Sequence, residues 1–205
     1  MASELLRRAR EYERERIPSI PPELLPAFHL TGGVGWINDP NGFSVYHGEY
    51  HLFFQYYPYG TYWSSMHWGH AKTEDFIRWE RLPCAMAPDE PYDGYGCFSG
   101  SAMALPDGRQ LLLYTGVRSI EGGAPGRNCV QTQCAAIGDG EAYVKWEGNP
   151  VIDSAMLPEG SSIHDFRDPK IWAQPDGSYL LSENGRETVW GEAYEIRDGG
   201  IRQIS

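Results

Sequence analysis

In Trp36-Ile37-Asn38-Asp39-Pro40-Asn41-Gly42 a carboxylate, Asp39, stands between Asn38 and Pro40, and Asn41-Gly42 is expected to close a turn behind it. Pro40 fixes its own φ and pushes Asp39 toward extended backbone, while Asn-Gly favours positive φ. Alone, such a stretch reads as a polar turn. A second Asp-Pro, in His164-Asp165-Phe166-Arg167-Asp168-Pro169, changes that reading because it falls at a matching point of an internal repeat. Two carboxylates at equivalent repeat positions can converge on one axis.

Working outward, the first unit runs from Asp39 to Tyr46, turns at His47-Gly48 and returns through Tyr50 to Tyr57. The second runs from Phe98 to Leu105, turns at Pro106-Asp107-Gly108 and returns from Gln110 to Thr115. The third runs from Asp168 to Trp172, turns at Pro175-Asp176-Gly177 and returns from Ser178 to Leu181. Each is strand, hairpin turn, strand. Two more strands are expected per unit: Met66 to Ala71 and Phe76 to Glu80, Val130 to Ala136 and Tyr143 to Glu147, then Gly191 to Ile196 and Ile201 to Ile204. The pairs Phe76-x-x-Trp79-Glu80 and Tyr143-x-x-Trp146-Glu147 mark the repeat most clearly. The third unit lacks the Trp-Glu.

Four antiparallel strands per unit, at a period of roughly 65 residues, predict an all-β chain built as a β-propeller. A β-sandwich would not explain the periodic Trp-Glu. The expected blades cover roughly residues 36–88, 96–155 and 164–205 within a propeller region of 28–205. Ahead of it, residues 1–27 read as one short helix and a proline-rich lead-in. Ser3 is the candidate N-cap, Glu4/Arg8 and Glu11/Arg14 lie at helical spacing, and Pro18, Pro21 and Pro22 end the helix. A propeller closes with about 4–8 blades, so three blades are expected to leave open edges suited to self-association or a complementing chain.

The net charge of -11 disfavours nucleic acid and anionic membrane as partners. A neutral small molecule is the simpler expectation, and the 7 Trp and 13 Tyr suit stacking on sugar rings. The first residues lead into mixed charges rather than an apolar export signal, and no stretch is long enough to span a bilayer. Cys84, Cys97, Cys129 and Cys134 read as free thiols in a reducing cytoplasm. His67 and His70 flank Trp68 on an expected strand and read as packing or hydrogen-bonding groups; His29, His47, His51 and His164 form no constellation. No metal or cofactor is expected.

Three motifs in order, Trp36 to Gly42, Phe98-Ser99-Gly100-Ser101 and Phe166-Arg167-Asp168-Pro169, resemble those of glycoside hydrolase family 32, the family of invertases, sucrose-6-phosphate hydrolases and fructanases. Met66-His-Trp-Gly-His-Ala71 and Trp79-Glu-Arg-Leu-Pro83 fit as well, so the resemblance runs from about Phe28 to Trp172. It implies a five-bladed propeller and a retaining β-fructofuranosidase acting on sucrose, sucrose 6-phosphate or short fructans. Asp39 matches the nucleophile that forms a covalent fructosyl-enzyme. Asp168 matches the carboxylate that binds ring hydroxyls and stabilises the oxocarbenium-like transition state. Arg167 matches a residue that orients the sugar and holds neighbouring carboxylates ionised. Asn38, Gln55, Trp63, Phe98 and Ser99 match positions lining the fructose subsite.

The departure from the family concerns the general acid, a Glu in a Glu-Cys motif of the fourth blade. The 205 residues contain no Glu-Cys dipeptide. Glu183, on the second strand of blade three, reads as structural. The expectation is therefore the N-terminal three-blade part of such an enzyme, without its proton donor and without the family's C-terminal β-sandwich. A fructoside-binding or inactive propeller fragment and a fructosyltransferase are the alternatives.

Overall fold

The computed structural model describes residues 2–120, 128–157, 159, 161–177, 179–185, 193–197 and 200–203. Among these residues one α-helix, α1 (Glu4–Arg16), precedes twelve strands: β1 (Trp36–Tyr46), β2 (Glu49–Tyr57), β3 (His67–Thr73), β4 (Glu80–Met86), β5 (Gly96–Ala104), β6 (Gln110–Ser119), β7 (Cys129–Gly138), β8 (Tyr143–Lys145), β9 (Phe166–Ala173), β10 (Tyr179–Gly185), β11 (Ala193–Arg197) and β12 (Gly200–Gln203). They form three four-stranded antiparallel sheets, ordered β1-β2-β3-β4, β5-β6-β7-β8 and β9-β10-β11-β12. These are the three expected blades. The strand of each that comes first in sequence is an edge strand, with β5 lying against both β1 and β9.

The strand sequences explain the stacking. Successive side chains on a strand face opposite ways, and here both faces are covered. Phe53 of β2 joins Leu112 and Tyr114 of β6 and Cys134 of β7 in a core between the first two blades. The intervening Leu113 and Ala135 turn the other way and pack on Phe166 and Ile171 of β9. Runs such as Leu111-Leu112-Leu113 therefore lack polar alternation because each strand serves two interfaces.

Helix α1 covers the outer edge of the first blade. Ser3 caps it, its hydroxyl accepting from the Leu6 N–H at 3.1 Å. Leu6 and Ala9 are buried with Phe54, Tyr56 and Cys84. The backbone of Cys84 in β4 is held from both sides: its N–H donates to Glu13 Oε2 at 2.9 Å, and its carbonyl accepts from Arg10 Nε at 2.8 Å. Two helix side chains thus satisfy edge groups that would otherwise template another strand. On the exposed face the ion pairs differ from expectation, since Arg7 takes both Glu4 and Glu11. Arg7 lies three residues after one and four before the other, on the same stripe.

Two local expectations are corrected. Asn41-Gly42 closes no turn but lies inside β1, in an irregularity between Asn41 and Ser44. Gly42 has φ 52°, and a Cβ there would meet Phe53 at 2.7 Å and Trp68 at 3.1 Å, so core packing requires the bare backbone. The segment Phe76–Glu80 is not a strand either. Asp75 accepts the N–H groups of Ile77 and Arg78, while Thr73 Oγ1 accepts that of Phe76, whose φ is 59°. Local side-chain bonds outcompete the ladder, and β4 starts only at Glu80. Trp79-Glu80 therefore enters β4, whereas Trp146-Glu147 follows β8. The repeat they mark in sequence is not one of position.

Candidate active site

Each inner strand carries a bulge at the same end. In β1, Ile37 pairs with Tyr56 and Pro40 with Phe54, so Asn38 and Asp39 together oppose Gln55. In β5, Phe98 pairs with Thr115 and Gly100 with Tyr114, leaving Ser99 as the extra residue. In β9, Arg167 pairs with Asn184 and Lys170 with Ser182, so Asp168 and Pro169 oppose Glu183. A bulge bends its strand and re-aims a side chain. Pro40 and Pro169 are tolerated because both strands are edges and need no further N–H donor.

The two Asp-Pro pairs are not register-equivalent. Asp39 is the second extra residue of its bulge and Asp168 the first of its own. On regular strands that offset would send the carboxylates to opposite faces. Asp168, however, adopts a left-handed φ of 63°, which breaks the alternation. The carboxylates then come near enough for the charge of Asp39 to raise Asp168. Burial is the larger cause of that rise, and Arg167 opposes both. Arg167 Nη1 binds Asp165 at 2.6 Å, while its Nε lies 3.7 Å from Asp168 Oδ2. The expected grip of Arg167 on Asp168 is therefore partial, because its closer partner is Asp165.

Around the pair, Ser99 Oγ donates to Asp39 Oδ2 at 3.1 Å. The exposed Asn38 accepts from Trp36 Nε1 at 2.8 Å. Trp63, 38% exposed in the loop after β2, stands edge-on to Phe98 with ring centroids 6.0 Å apart. Gln55 lies beneath: it is buried and donates to the Cys97 carbonyl at 2.9 Å. Glu183 places its backbone on β10, and its side chain lies outside the described residues. Sequence reasoning missed three groups: Asp165, the partner of Arg167, and Thr115 and Gln133 under the bulges. Thr115 and Gln133 are wholly buried polar residues on core strands, a placement that calls for a dedicated hydrogen-bond role.

The histidines are also rearranged. His51 shares a 2.9 Å hydrogen bond with His70, both buried, so His51 does belong to a cluster. Phe53 stacks on the His70 ring at 4.1 Å. His67 turns away and pairs with the Ser65 carbonyl at 2.9 Å. Among the described residues no group of three or more His, Cys, Asp or Glu is placed to hold a metal ion.

The sequence model of the glycosyl hydrolases family 32 N-terminal domain matches residues 29–190. The chain belongs to glycoside hydrolase family 32. It is 41% identical over 159 residues to a sucrose-6-phosphate hydrolase of Zymomonas mobilis, covering 78% of this chain and 30% of that protein. It is 39% identical over 187 residues to a raffinose invertase of Escherichia coli, covering 87% of this chain and 37% of that protein. Among solved structures, the Bombyx mori β-fructofuranosidase in complex with sucrose superposes with a TM-score of 0.83 at 36% identity, over 100% of this chain and 42% of the other. Fructan 1-exohydrolase IIa of Cichorium intybus superposes with a TM-score of 0.74 at 31% identity, over 91% of this chain and 35% of the other. The three sheets are accordingly blades of the five-bladed propeller type. The chain spans well under half the length of each of these relatives.

Proposed function

We propose that this family 32 chain forms the fructosyl-binding and nucleophilic part of a retaining β-fructofuranosidase acting on sucrose, sucrose 6-phosphate or short fructans. The observation that carries the reading is that Asp39 and Asp168, on bulged strands of two blades, are linked through Ser99 and Thr115: Ser99 Oγ lies 3.1 Å from Asp39 Oδ2, and Thr115 Oγ1 lies 3.2 Å from the Ser99 carbonyl and 3.0 Å from the Asp168 N. Asp39 attacks the anomeric carbon as the bond to the leaving oxygen breaks, and water later releases fructose with net retention. Asp168 binds ring hydroxyls and faces the positive charge that develops on the sugar. Ser99 orients Asp39, and Arg167 with Asp165 borders Asp168. Asn38, Trp63 and Phe98 line the fructose subsite, and Gln55 supports it from below. That relatives are solved with sucrose and with 1-kestose supports a sugar ligand. The four buried free thiols fit a reducing compartment such as the cytoplasm.

A second reading is fructoside binding without turnover of sucrose: among the described residues the further carboxylate beside the pair, Asp165, is held by Arg167 at 2.6 Å. Without proton donation to the leaving oxygen, cleavage loses about 10²–10⁴-fold. Capture of the fructosyl-enzyme by a sugar hydroxyl instead of water would make the chain a transferase. One assay separates these readings: glucose and fructose release from sucrose, with glucose in excess of fructose marking transfer, and fluoride release from β-fructofuranosyl fluoride, each beside Asp39→Asn. Fluoride departs without a proton donor, so turnover of the fluoride alone supports the nucleophile assignment and places the acid elsewhere. Release from both substrates means that an acid is supplied within the chain or across an oligomer. Release from neither, or release that survives Asp39→Asn, removes the hydrolase reading for this chain.

A further inference from the structure

Thr115 stands where the bulge of β5 meets the bulge of β9. It lies on β6 with no exposed surface, paired in register with Phe98 on one side and Gln133 on the other. Its Oγ1 accepts the backbone N–H of Asp168 at 3.0 Å. The same oxygen lies 3.2 Å from the Ser99 carbonyl and 3.1 Å from Gln133 Oε1. A threonine hydroxyl has one proton to give and can accept as well. Thr115 therefore receives from the residue that carries one carboxylate and gives either to the residue that orients the other or to Gln133.

Gln133 is itself fixed. Its Nε2 donates to the Phe166 carbonyl at 2.8 Å, which leaves its Oε1 facing Thr115. Its backbone donates to the Ile152 carbonyl and accepts from the Val151 N–H, both at 2.8 Å. Above this rigid layer Asp168 holds a left-handed φ of 63°. A non-glycine residue in that region is strained and persists only where its surroundings over-determine it. The Thr115 hydroxyl accepts the N–H of that strained residue. Valine would fill nearly the same volume and pack against the same neighbours, so packing alone does not call for a hydroxyl.

We propose that Thr115 is a positioning residue for the carboxylate pair, its single hydroxyl joining the Ser99 and Asp168 bulges so that both carboxylates address one sugar ring. Its catalytic consequence rests on the fructosyl-transfer reading above; its structural consequence does not. Losing the hydroxyl leaves the Asp168 N–H without its acceptor and the Ser99 carbonyl without the Thr115 donor, and releases the strained bulge. Asp168 then swings toward solvent and away from Asp39, while Arg167 and Asp165 remain beside it.

The test uses the 205-residue chain as wild type, Thr115→Val and Thr115→Ser, with two readouts. The first is kcat and KM on β-fructofuranosyl fluoride. The second is the titration of the Asp168 carboxyl followed by carbon-13 NMR. In Thr115→Val, kcat is expected to fall by about 10–100-fold, the size of a small misplacement of reacting groups, with KM changed less than about threefold. The Asp168 titration moves down toward the ordinary carboxylate range. Thr115→Ser restores both. A wild-type rate and an unmoved titration in Thr115→Val overturn the proposal, as do equal losses in both variants that follow lost stability. If the wild type leaves the fluoride intact, the hydrolase reading fails and the titration decides the positioning role alone. If Thr115→Val does not fold, Thr115→Cys replaces it: a weaker donor and acceptor of similar volume gives an intermediate loss, and no change in rate or titration overturns the proposal.

Discussion

Ser99 of β5 donates its hydroxyl to Oδ2 of Asp39 in β1 at 3.1 Å, so the side chain of one blade orients the carboxylate of the next. The bond lies at the open mouth of the site, where Asp39 is exposed. A hydrogen bond to a charged acceptor is worth about 1.5 kcal/mol or more. Ser99→Ala is therefore expected to cut turnover of β-fructofuranosyl fluoride by about tenfold while leaving the melting temperature nearly unchanged. Paired rate and melting measurements check this. An equal rate would mean that Asp39 is held by something other than Ser99.

Asp168 carries a cost that its neighbours do not remove. Burial and the charge of Asp39 raise its carboxyl above the ordinary value of 3.8, against the pull of Arg167. Between the unfolded and folded values the native state binds the proton more tightly, so stability falls as pH rises through that window. Above it, the ionised Asp168 is a net burden. Asp168→Asn is expected to raise the melting temperature at pH 7, with the gain vanishing below about pH 3.8. Activity should be lost in the same variant, as at sites where function is kept at the expense of stability. A lower melting temperature at pH 7 would show that the Arg167 pairing dominates instead.

The blades were legible in the sequence because hairpin signals are local: His47-Gly48 and the two Pro-Asp-Gly turns sit where the strands reverse. The positions of Asp39 and Asp168 at the starts of inner strands were legible through their Asp-Pro pairs. What aims them was not. A bulge is a relation between two strands, so Asn38-Asp39 opposing Gln55 cannot be seen in either segment alone. The Phe76–Glu80 segment failed for the converse reason, since its hydrophobic spacing suggested a strand while Thr73 and Asp75 captured the backbone. Thr115, Gln133 and the His51–His70 pair were invisible because their partners lie on other strands.

Buried histidines make the fold acid-sensitive. His67 is 4% exposed, and burial pulls it down from 6.5 to about 4, although the Ser65 carbonyl and Asp89 favour its charge. His70 is pulled well below 6.5 by burial and by its neighbour His51. The unfolded chain takes up these protons first, so stability declines as pH falls from 6.5 toward 4. His67 alone accounts for about 2 kcal/mol by pH 5. Urea unfolding at pH 7 and pH 5 measures the decline, and His67→Gln is expected to flatten it by that amount. A slope unchanged by the substitution would place the proton uptake elsewhere.

The ties around Lys145 at the end of β8 hold the first two blades together at their outer edge. Its Nζ donates to the Ala87 carbonyl at 2.7 Å and to Asp93 Oδ2 at 2.5 Å, and it also binds Asp89, which in turn accepts from Ser3 at the helix cap. Asp93 has no exposed surface and further accepts from Tyr114 Oη at 2.7 Å and the Glu90 N–H at 2.9 Å. Burial raises its carboxyl, and Lys145 is the chief force keeping it ionised. Removing one partner of such a pair leaves a buried charge uncompensated, at about 3–5 kcal/mol. Lys145→Met is expected to cost that much in urea unfolding. Asp93→Asn in the same chain should recover part of the loss, because it removes the stranded charge, and the double-mutant cycle gives a coupling above about 1 kcal/mol. Additive costs would mean that Lys145 acts through Asp89 and the helix cap, and the seam between the blades would then depend on α1 rather than on Asp93.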